Sequence, residues 1–265
     1  MIDCHTHIIN DSIRKEYFSR ADNPALVMQF PDAILSNPDT VRTVQDDPRL
    51  FLCPCVDLKE EIPPQLERIE AHLEDWKVVG LKIYTSYQKG RADDPLLLPV
   101  YEFADRLRLA VTFHTGLCSL VLPSEQDLEG SAAAHIAKAA EAFGGVNFVA
   151  AHMDDPHMAA CCRLCAQHPN LYTDFSGLFE DGYESDWDVL VENYSAALRQ
   201  AQDPEQDIAK HILYGTDFCP PIGLADIERF RTFIGQLFTP EEQEDLYYSN
   251  ALRAFPRLAA YLKEQ

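Results

Sequence analysis

Short apolar runs alternate with amphipathic segments along most of the chain. Eight of these runs have the length and composition of buried β-strands, namely residues 2–7, 25–30, 50–56, 79–84, 110–114, 146–152, 171–174 and 211–216. Most of them are apolar for nearly their whole length, which is typical of strands whose two faces are both covered. The segments between them are long enough to hold helices.

The helical segments carry apolar side chains at three- and four-residue spacing. Residues 65–76, 131–143 and 224–237 show this pattern, and Thr239 with Glu242 fits a capping box that starts a further helix. Strands that alternate with helices predict a parallel sheet, and eight such units predict an α/β fold closed into a (β/α)8 TIM barrel. We expect a single domain over residues 1–265, with an open, doubly wound sheet as the alternative.

Composition narrows the classes of partner. The chain has 265 residues, of which 46% are hydrophobic, and a formal net charge of −21. That charge argues against binding nucleic acid or anionic membranes, and no apolar run approaches the ~18 residues that span a bilayer. With no leader pattern, we expect a cytoplasmic protein with eight reduced cysteines, a small-molecule substrate and, as an open alternative, assembly into a homo-oligomer.

Polar side chains end several of the predicted strands. His5 and His7 share a face of the first strand, while His114, His152 and Asp217 end the fifth, sixth and eighth. In a barrel these strand ends form one mouth. Imidazole and carboxylate suit a catalytic zinc that keeps one position open, so we predict His5, His7, His114 and Asp217 as ligands of one divalent ion. Zinc is our first choice, and manganese, cobalt, nickel and iron accept similar ligands.

The same residues supply proton-transfer chemistry. Bound metal lowers the pKa of water, and Asp217 is predicted to accept the proton that this water releases. We assign His152 to acid–base work on the substrate, with a fourth nitrogen ligand as the alternative. Asp174, at the end of the seventh strand, is expected to support a ligand histidine. Each residue taken alone has a structural alternative, such as a helix cap for an aspartate.

With these residues in place, the sequence resembles the amidohydrolase superfamily. Within it, the amidohydrolase-related branch that includes aminocarboxymuconate-semialdehyde decarboxylase-like proteins is the most similar. The motifs that carry the resemblance are DCHTH at 3–7, GLK at 80–82, FHTG at 113–116, AH at 151–152, YGTD at 214–217 and NA at 250–251. The resemblance implies a metal-dependent barrel with ligands at His5, His7, His114 and Asp217.

Lys82 and Tyr84 share one face of the fourth strand, and this face is expected to point into the barrel mouth. We therefore predict both as substrate-binding residues. In binuclear members of the superfamily a carboxylated lysine on this strand bridges two metals. The Gly-x-Lys context resembles mononuclear relatives, so we expect one metal and an uncarboxylated Lys82, with a second metal bridged by carboxylated Lys82 as the alternative. Many relatives have histidine where Tyr84 stands, which bears on the substrate.

Three functions follow in order of preference. The first is a hydrolase in which metal-activated water attacks the carbonyl carbon of a small amide, lactone or similar compound. The second is a decarboxylase of a small unsaturated or aromatic acid, which needs a cationic clamp from Lys82 or Arg14. The third is a non-catalytic metal-binding barrel. Residues 8–24, 117–130 and 175–210 are expected to roof the site.

Overall fold

The computed structural model describes residues 1–117, 124, 126–179, 186–202, 207–220 and 226–263. Eight parallel strands run through the described part, and each lies within one of the predicted runs. They are β1 (Asp3–Thr6), β2 (Ala25–Met28), β3 (Leu50–Cys53), β4 (Gly80–Ile83), β5 (Ala110–Phe113), β6 (Phe148–Ala150), β7 (Leu171–Asp174) and β8 (Ile212–Leu213). The predicted α/β barrel is therefore confirmed.

Helices lie between the strands and after the last one. They are α1 (Asp11–Arg20), α2 (Thr40–Gln45), α3 (Ile62–Ala71), α4 (Thr85–Gln88), α5 (Leu98–Leu107), α6 (Ala133–Ala142), α7 (Met158–Gln167), α8 (Trp187–Ala201), α9 (Ile227–Leu237), α10 (Pro240–Glu244), α11 (Asn250–Ala254) and α12 (Pro256–Lys263). The capping box is confirmed, since the backbone N–H of Thr239 donates to Glu242 Oε2 at 2.7 Å. The predicted start of α9 at residue 224 lies outside the described residues. Among the helices described, none combines the length and apolar character needed to cross a membrane.

The barrel is made of two groups of strands. The first pairs in the order β1-β2-β3 and the second in the order β4-β5-β6-β7-β8. Isolated bridges join the groups at two seams. Thr6 pairs with Phe218 after β8 at the first seam. At the second seam, the pairs Leu52–Val78 and Cys55–Lys82 join β3 to β4. The β1/β8 seam brings the first strand into contact with the segment that follows the last strand.

The buried carboxylate of Asp3 stabilises the β1/β8 seam through hydrogen bonds. Its Oδ1 accepts from the backbone N–H groups of His5 at 3.2 Å and Thr216 at 3.1 Å. Its Oδ2 accepts from Thr216 Oγ1 at 2.7 Å and from the hydroxyl of Tyr17 at 3.0 Å. Burial raises the pKa of Asp3 to about 7, although these donors act in the opposite direction. The contacts place His5 beside the segment that carries Asp217.

Cysteines belong to the packed interior of the described part. Cys161, Cys162 and Cys165 of α7 are fully buried in the main hydrophobic core, where they serve as small apolar side chains. Seven described cysteines are free thiols, and Cys118 lies outside the described residues.

Candidate metal centre and adjoining cavity

The β1/β8 seam sets the first group of candidate ligands. The backbone N–H of Asp217 donates to the His5 carbonyl at 2.8 Å, and that of His7 donates to the Phe218 carbonyl at 2.8 Å. Asp217 has a left-handed backbone (φ 56°), a conformation that aspartate tolerates better than most residues. This turn directs the Asp217 carboxylate toward the two imidazoles of the first strand.

Two imidazole nitrogens and one carboxylate oxygen converge there. His7 Nε2 lies 3.0 Å from Asp217 Oδ1, and His5 Nε2 lies 3.7 Å from the same oxygen. One ligand atom from each of the three residues lies within 4.8 Å of the others. All three side chains are buried, so water solvates them little.

Hydrogen bonds on the opposite ring nitrogens fix the tautomers. His7 Nδ1–H donates to the Met28 carbonyl at 2.7 Å, and His5 Nδ1–H donates to Asp174 Oδ2 at 3.1 Å. Both Nε2 atoms therefore carry lone pairs toward Asp217, whose buried Oδ1 has no hydrogen-bond partner among the described residues. Two imidazole nitrogens and a carboxylate oxygen that converge in a buried space are ligand types that a divalent metal such as zinc accepts, so this set fits one.

The charge state of Asp217 agrees with this arrangement. Burial raises the pKa of the carboxyl, but the contacts with His7 and His5 outweigh burial and hold the pKa well below its usual value. An ionised carboxylate is the form that ligates a metal.

Asp174 organises the groups behind the ligands. Its Oδ2 accepts from His5, and its Oδ1 accepts from the backbone N–H of His152 at 2.9 Å and of Ser176 at 3.1 Å. The Ser176 hydroxyl also donates to Oδ1 and lies 3.0 Å from His5 Nδ1 and 2.8 Å from His152 Nδ1. Asp174 thus contacts a candidate ligand histidine, as the sequence predicts, whereas the role of Ser176 was not found from the sequence.

His114 and His152 form a second pair on the same mouth. His114 Nδ1 lies 3.1 Å from His152 Nε2, and the outer nitrogens contact the carbonyls of Leu117 at 3.2 Å and Ser176 at 3.1 Å. If both outer nitrogens donate, the two inner ones carry lone pairs and require a shared proton or a cation. Burial lowers the pKa of His114 well below its usual value. The structure thus groups three of the four predicted ligands and places His114 against His152 instead.

Lys82 lies beneath this group. Its side chain is fully buried, and its Nζ is 3.3 Å from His5 Nε2. Burial lowers the pKa of Lys82 to about 8. Lys82 Nζ also lies 5.1 Å from the centroid of the Tyr84 ring, so the structure brings the two predicted substrate-binding residues together beside a candidate ligand atom.

A cavity of about 170 Å³ opens above the ligands. It is lined by His7, Phe30, Tyr84, Tyr87, His114, Leu117, His152, Asp155, Ser176, Gly177, Leu178, Tyr194 and Asp217. The lining includes five predicted site residues, Tyr84, His7, His114, His152 and Asp217. The sequence did not point to the other aromatic side chains, although Phe30 ends the second predicted strand. Asp155 lines the cavity, while Asp154 caps α6 by accepting from the backbone N–H of Ala133 at 3.0 Å.

The predicted roof is described only in part. Residues 8–24, 117, 124, 126–130, 175–179, 186–202 and 207–210 are described, but residues 118–123, 125, 180–185 and 203–206 lie outside the described residues.

Comparison with solved structures identifies barrels of similar shape. An amidohydrolase from Burkholderia multivorans with bound zinc has a TM-score of 0.66 and 14% identity, covering 96% of this chain and 98% of the other. A probable 2-pyrone-4,6-dicarboxylic acid hydrolase from Acinetobacter baumannii gives 0.67 and 14%, with coverage of 96% and 98%. The 5-carboxyvanillate decarboxylase from Sphingomonas paucimobilis gives 0.58 and 17%, with coverage of 92% and 82%.

Sequence comparison assigns the family. No curated protein matches the chain. The family model described as amidohydrolase matches residues 37–257, a range that contains His114, His152 and Asp217 and begins after His5 and His7. Since this match covers most of the chain, and the structure adds the two first-strand histidines to the same mouth, the chain belongs to the amidohydrolase family.

Proposed function

We propose that this protein is a metal-dependent hydrolase that cleaves a carbonyl-type bond, such as an amide or lactone, in a small molecule. The observation that carries the proposal is the convergence of His5 Nε2, His7 Nε2 and the unpartnered Asp217 Oδ1 in a buried space. When bound, a divalent ion, with zinc as first choice, supplies a Lewis acid that polarises water and the substrate carbonyl.

The residues of the chain supply the proton transfers. Asp217 lines the cavity beside the candidate metal position, so its carboxylate can accept a proton from the attacking water. His152 lines the same cavity and is held by Ser176 and Asp174, so it can donate a proton to the leaving group. Because both groups line the same cavity, they can act on one bound substrate.

We propose one metal ion. His114 remains the proposed fourth ligand, although its Nδ1 lies against His152 in this structure. Removing the His114 imidazole and measuring the metal content tests this assignment. The alternative of a second ion, bridged by carboxylated Lys82, draws on the facing nitrogens of His114 and His152. Metal stoichiometry distinguishes the two proposals.

Decarboxylation is the alternative reaction, and the similarity to the 5-carboxyvanillate decarboxylase favours it. It requires a cationic clamp for the substrate carboxylate, for which Lys82 and Arg14 were the candidates. Lys82 Nζ contacts His5, while Arg14 pairs with Asp11 and, at 3.1 Å, with Asp47. Because Arg14 is paired with two carboxylates and Lys82 already contacts a candidate metal ligand, we favour hydrolysis.

Metal content and turnover test the proposal together. Protein purified without added metal or chelator should contain about one equivalent of divalent ion, and zinc-loaded protein should hydrolyse an uncharged test compound such as dihydrocoumarin or 4-nitroacetanilide. Asp217→Asn should lose the metal and lower turnover by about 10²-fold or more.

The matched control is Asp75→Asn, the same chemical change at an exposed carboxylate. It should keep full metal content. A protein that takes up no metal on reconstitution, or an Asp217→Asn variant with unchanged metal and turnover, would contradict the proposal. Release of carbon dioxide from aromatic acids without hydrolysis of either compound would establish the decarboxylase instead.

A further inference from the structure

The segment that carries His152 has a left-handed backbone at three residues in succession. The φ angles are 63° at His152, 51° at Met153 and 53° at Asp154. Elsewhere in the described part of the chain, left-handed residues other than glycine occur singly. The conformation is unfavourable for residues with a Cβ, because this atom comes close to the following carbonyl oxygen. Three such residues in a row persist only where surrounding groups hold the backbone in place.

Thr115 holds this turn at both ends with one hydroxyl. Its Oγ1 donates to the carbonyl of Ala151, which precedes the turn, and accepts from the backbone N–H of Asp154, the last residue of the turn, at 3.0 Å. The Thr115 side chain is fully buried, so water cannot readily replace the hydroxyl. The two hydrogen bonds join the segment after β5 to the segment after β6, the neighbouring strand in the sheet.

Gly116, the residue after Thr115, packs against the other end of the turn. A Cβ at this position would lie 2.6 Å from the carbonyl oxygen of Asp155, so the close approach requires glycine. Gly116 also has a left-handed φ of 70°, which glycine adopts without strain. The last two residues of the FHTG motif therefore both contact the turn, a role separate from that of His114.

The conformation of the turn determines where the His152 imidazole lies. The ring reaches the cavity wall, with Nε2 3.1 Å from His114 Nδ1 and Nδ1 2.8 Å from Ser176 Oγ. The start of the turn has a second support, because the N–H of His152 donates to Asp174 Oδ1 at 2.9 Å. Thr115 supplies the hydrogen bond at its end. A return of the backbone to the right-handed or extended region would rotate the imidazole away from these contacts.

We infer that Thr115 is a positioning residue for His152: its hydroxyl holds the left-handed turn at residues 152–154 and so keeps the imidazole at the cavity wall. Thr115 is not among the residues that line the cavity, so it acts through His152 and not on the substrate. This inference rests on the proposed function, because it takes His152 as an acid–base group of the reaction.

Paired substitutions separate the hydroxyl from the shape of the side chain. Thr115→Val keeps the shape and removes the hydroxyl, whereas Thr115→Ser keeps the hydroxyl. In zinc-loaded Thr115→Val we expect kcat to fall about tenfold or more and KM to change less than about twofold, because a displaced acid–base group slows the reaction more than it weakens binding. Thr115→Ser should keep kcat within about threefold of the unmodified protein.

Zinc content distinguishes this role from metal binding. Thr115→Val should keep about one equivalent of zinc, because His5, His7 and Asp217 form their group on other strands. The matched control is Thr43→Val, which removes the hydroxyl of a buried threonine in α2 that donates to the Asp39 carbonyl at 2.9 Å. Thr43 does not line the cavity, so this variant should keep both kcat and zinc.

Hydrogen exchange at the Asp154 N–H, followed by NMR, reports on the turn without turnover. In the unmodified protein this N–H should exchange about 10²-fold or more slowly than in an unfolded chain. Thr115→Val should speed the exchange about tenfold or more, whereas Thr115→Ser and Thr43→Val should leave it nearly unchanged. Exchange at the unfolded-chain rate in the unmodified protein would overturn the inference, even if Thr115→Val does not fold.

The kinetic results can also contradict the inference. Unchanged kcat in Thr115→Val, or equal losses in Thr115→Val and Thr115→Ser, would show that the hydroxyl does not position His152. Loss of zinc from Thr115→Val would show that Thr115 acts through the neighbouring His114 instead. Faster exchange in Thr115→Val, with no hydrolysis of any compound by the unmodified protein, would overturn the proposed function alone.

Discussion

The two first-strand histidines of this site are oriented by hydrogen bonds at Nδ1, the ring nitrogen that faces away from the candidate metal. His7 and His5 present lone pairs at Nε2 only because Nδ1 of each donates to a fixed acceptor, the Met28 carbonyl and the Asp174 carboxylate respectively. The sequence placed both histidines correctly, since alternation along a strand settles which side chains share a face. It could not place Ser176, because this residue reaches both His5 and His152 from the loop after β7.

Replacing Asp174 by asparagine should therefore change His5 without touching a ligand atom. In this variant Oδ1 can keep the backbone donors of His152 and Ser176, so the amide nitrogen faces His5 Nδ1. His5 Nδ1 must then accept, and the proton moves to Nε2, where it blocks metal binding. We expect metal affinity to fall about 10- to 100-fold, measured by competition with a chelating dye.

Nitrogen-15 NMR of the imidazoles checks the cause. The spectrum of Asp174→Asn should show the His5 proton on Nε2, while Asp75→Asn should leave both the tautomer and the affinity unchanged. Unchanged affinity in Asp174→Asn would mean that the ligand geometry does not depend on this carboxylate.

Replacing His152 by alanine should lower turnover and leave the metal content unchanged. Asp217, His5 and His7 form their group without it, so His152→Ala is expected to retain about one equivalent of metal and to lose turnover by about 10²- to 10⁴-fold. Metal analysis and initial rates on the same preparation make the comparison. Complete metal loss would show His152 to be a ligand.

At the scale of elements, the two seams of the barrel are the part of the fold that the local sequence predicts least well. The short apolar runs predicted all eight strands, because most of these runs are apolar over nearly their whole length. They did not predict the strand grouping or the bridges that join β1 to the segment after β8, which depend on the contacts of Asp3 across the chain. Helix bounds also shifted: α3 begins at Ile62 and not at 65, because prolines at its first positions fit a helix start.

Graded substitutions of Asp3 test its role in the seam. Asp3→Asn keeps an oxygen for the backbone donors of His5 and Thr216, and the hydroxyls of Tyr17 and Thr216 can turn to accept. Asp3→Ala leaves two buried backbone N–H groups unpaired. We expect the free energy of unfolding to fall by about 1 kcal/mol for Asn and about 3 kcal/mol or more for Ala, measured by urea denaturation. Equal losses in the two variants would show that packing, and not hydrogen bonding, is lost.

For the whole molecule, the candidate metal lies where the barrel closes. His5 and His7 belong to the first strand and Asp217 follows the last, so an ion held by all three crosslinks the ends of the barrel at the β1/β8 seam. An ion that binds only the folded protein stabilises it by mass action, by about 2.7 kcal/mol when its free concentration is a hundred times the dissociation constant.

Removing the metal should therefore lower the thermal midpoint of the whole protein. From that free energy we expect a chelator to reduce Tm by about 5–10 °C, and added zinc to restore it. Asp217→Asn should have a low Tm that neither chelator nor zinc changes, while Asp75→Asn should respond like the unmodified protein. A zinc-dependent rise in Tm of equal size in Asp217→Asn would place the stabilising ion elsewhere. The absence of any chelator effect on the zinc-loaded protein would show that the seam closes without an ion, leaving the Asp3 contacts to hold the two ends of the barrel together.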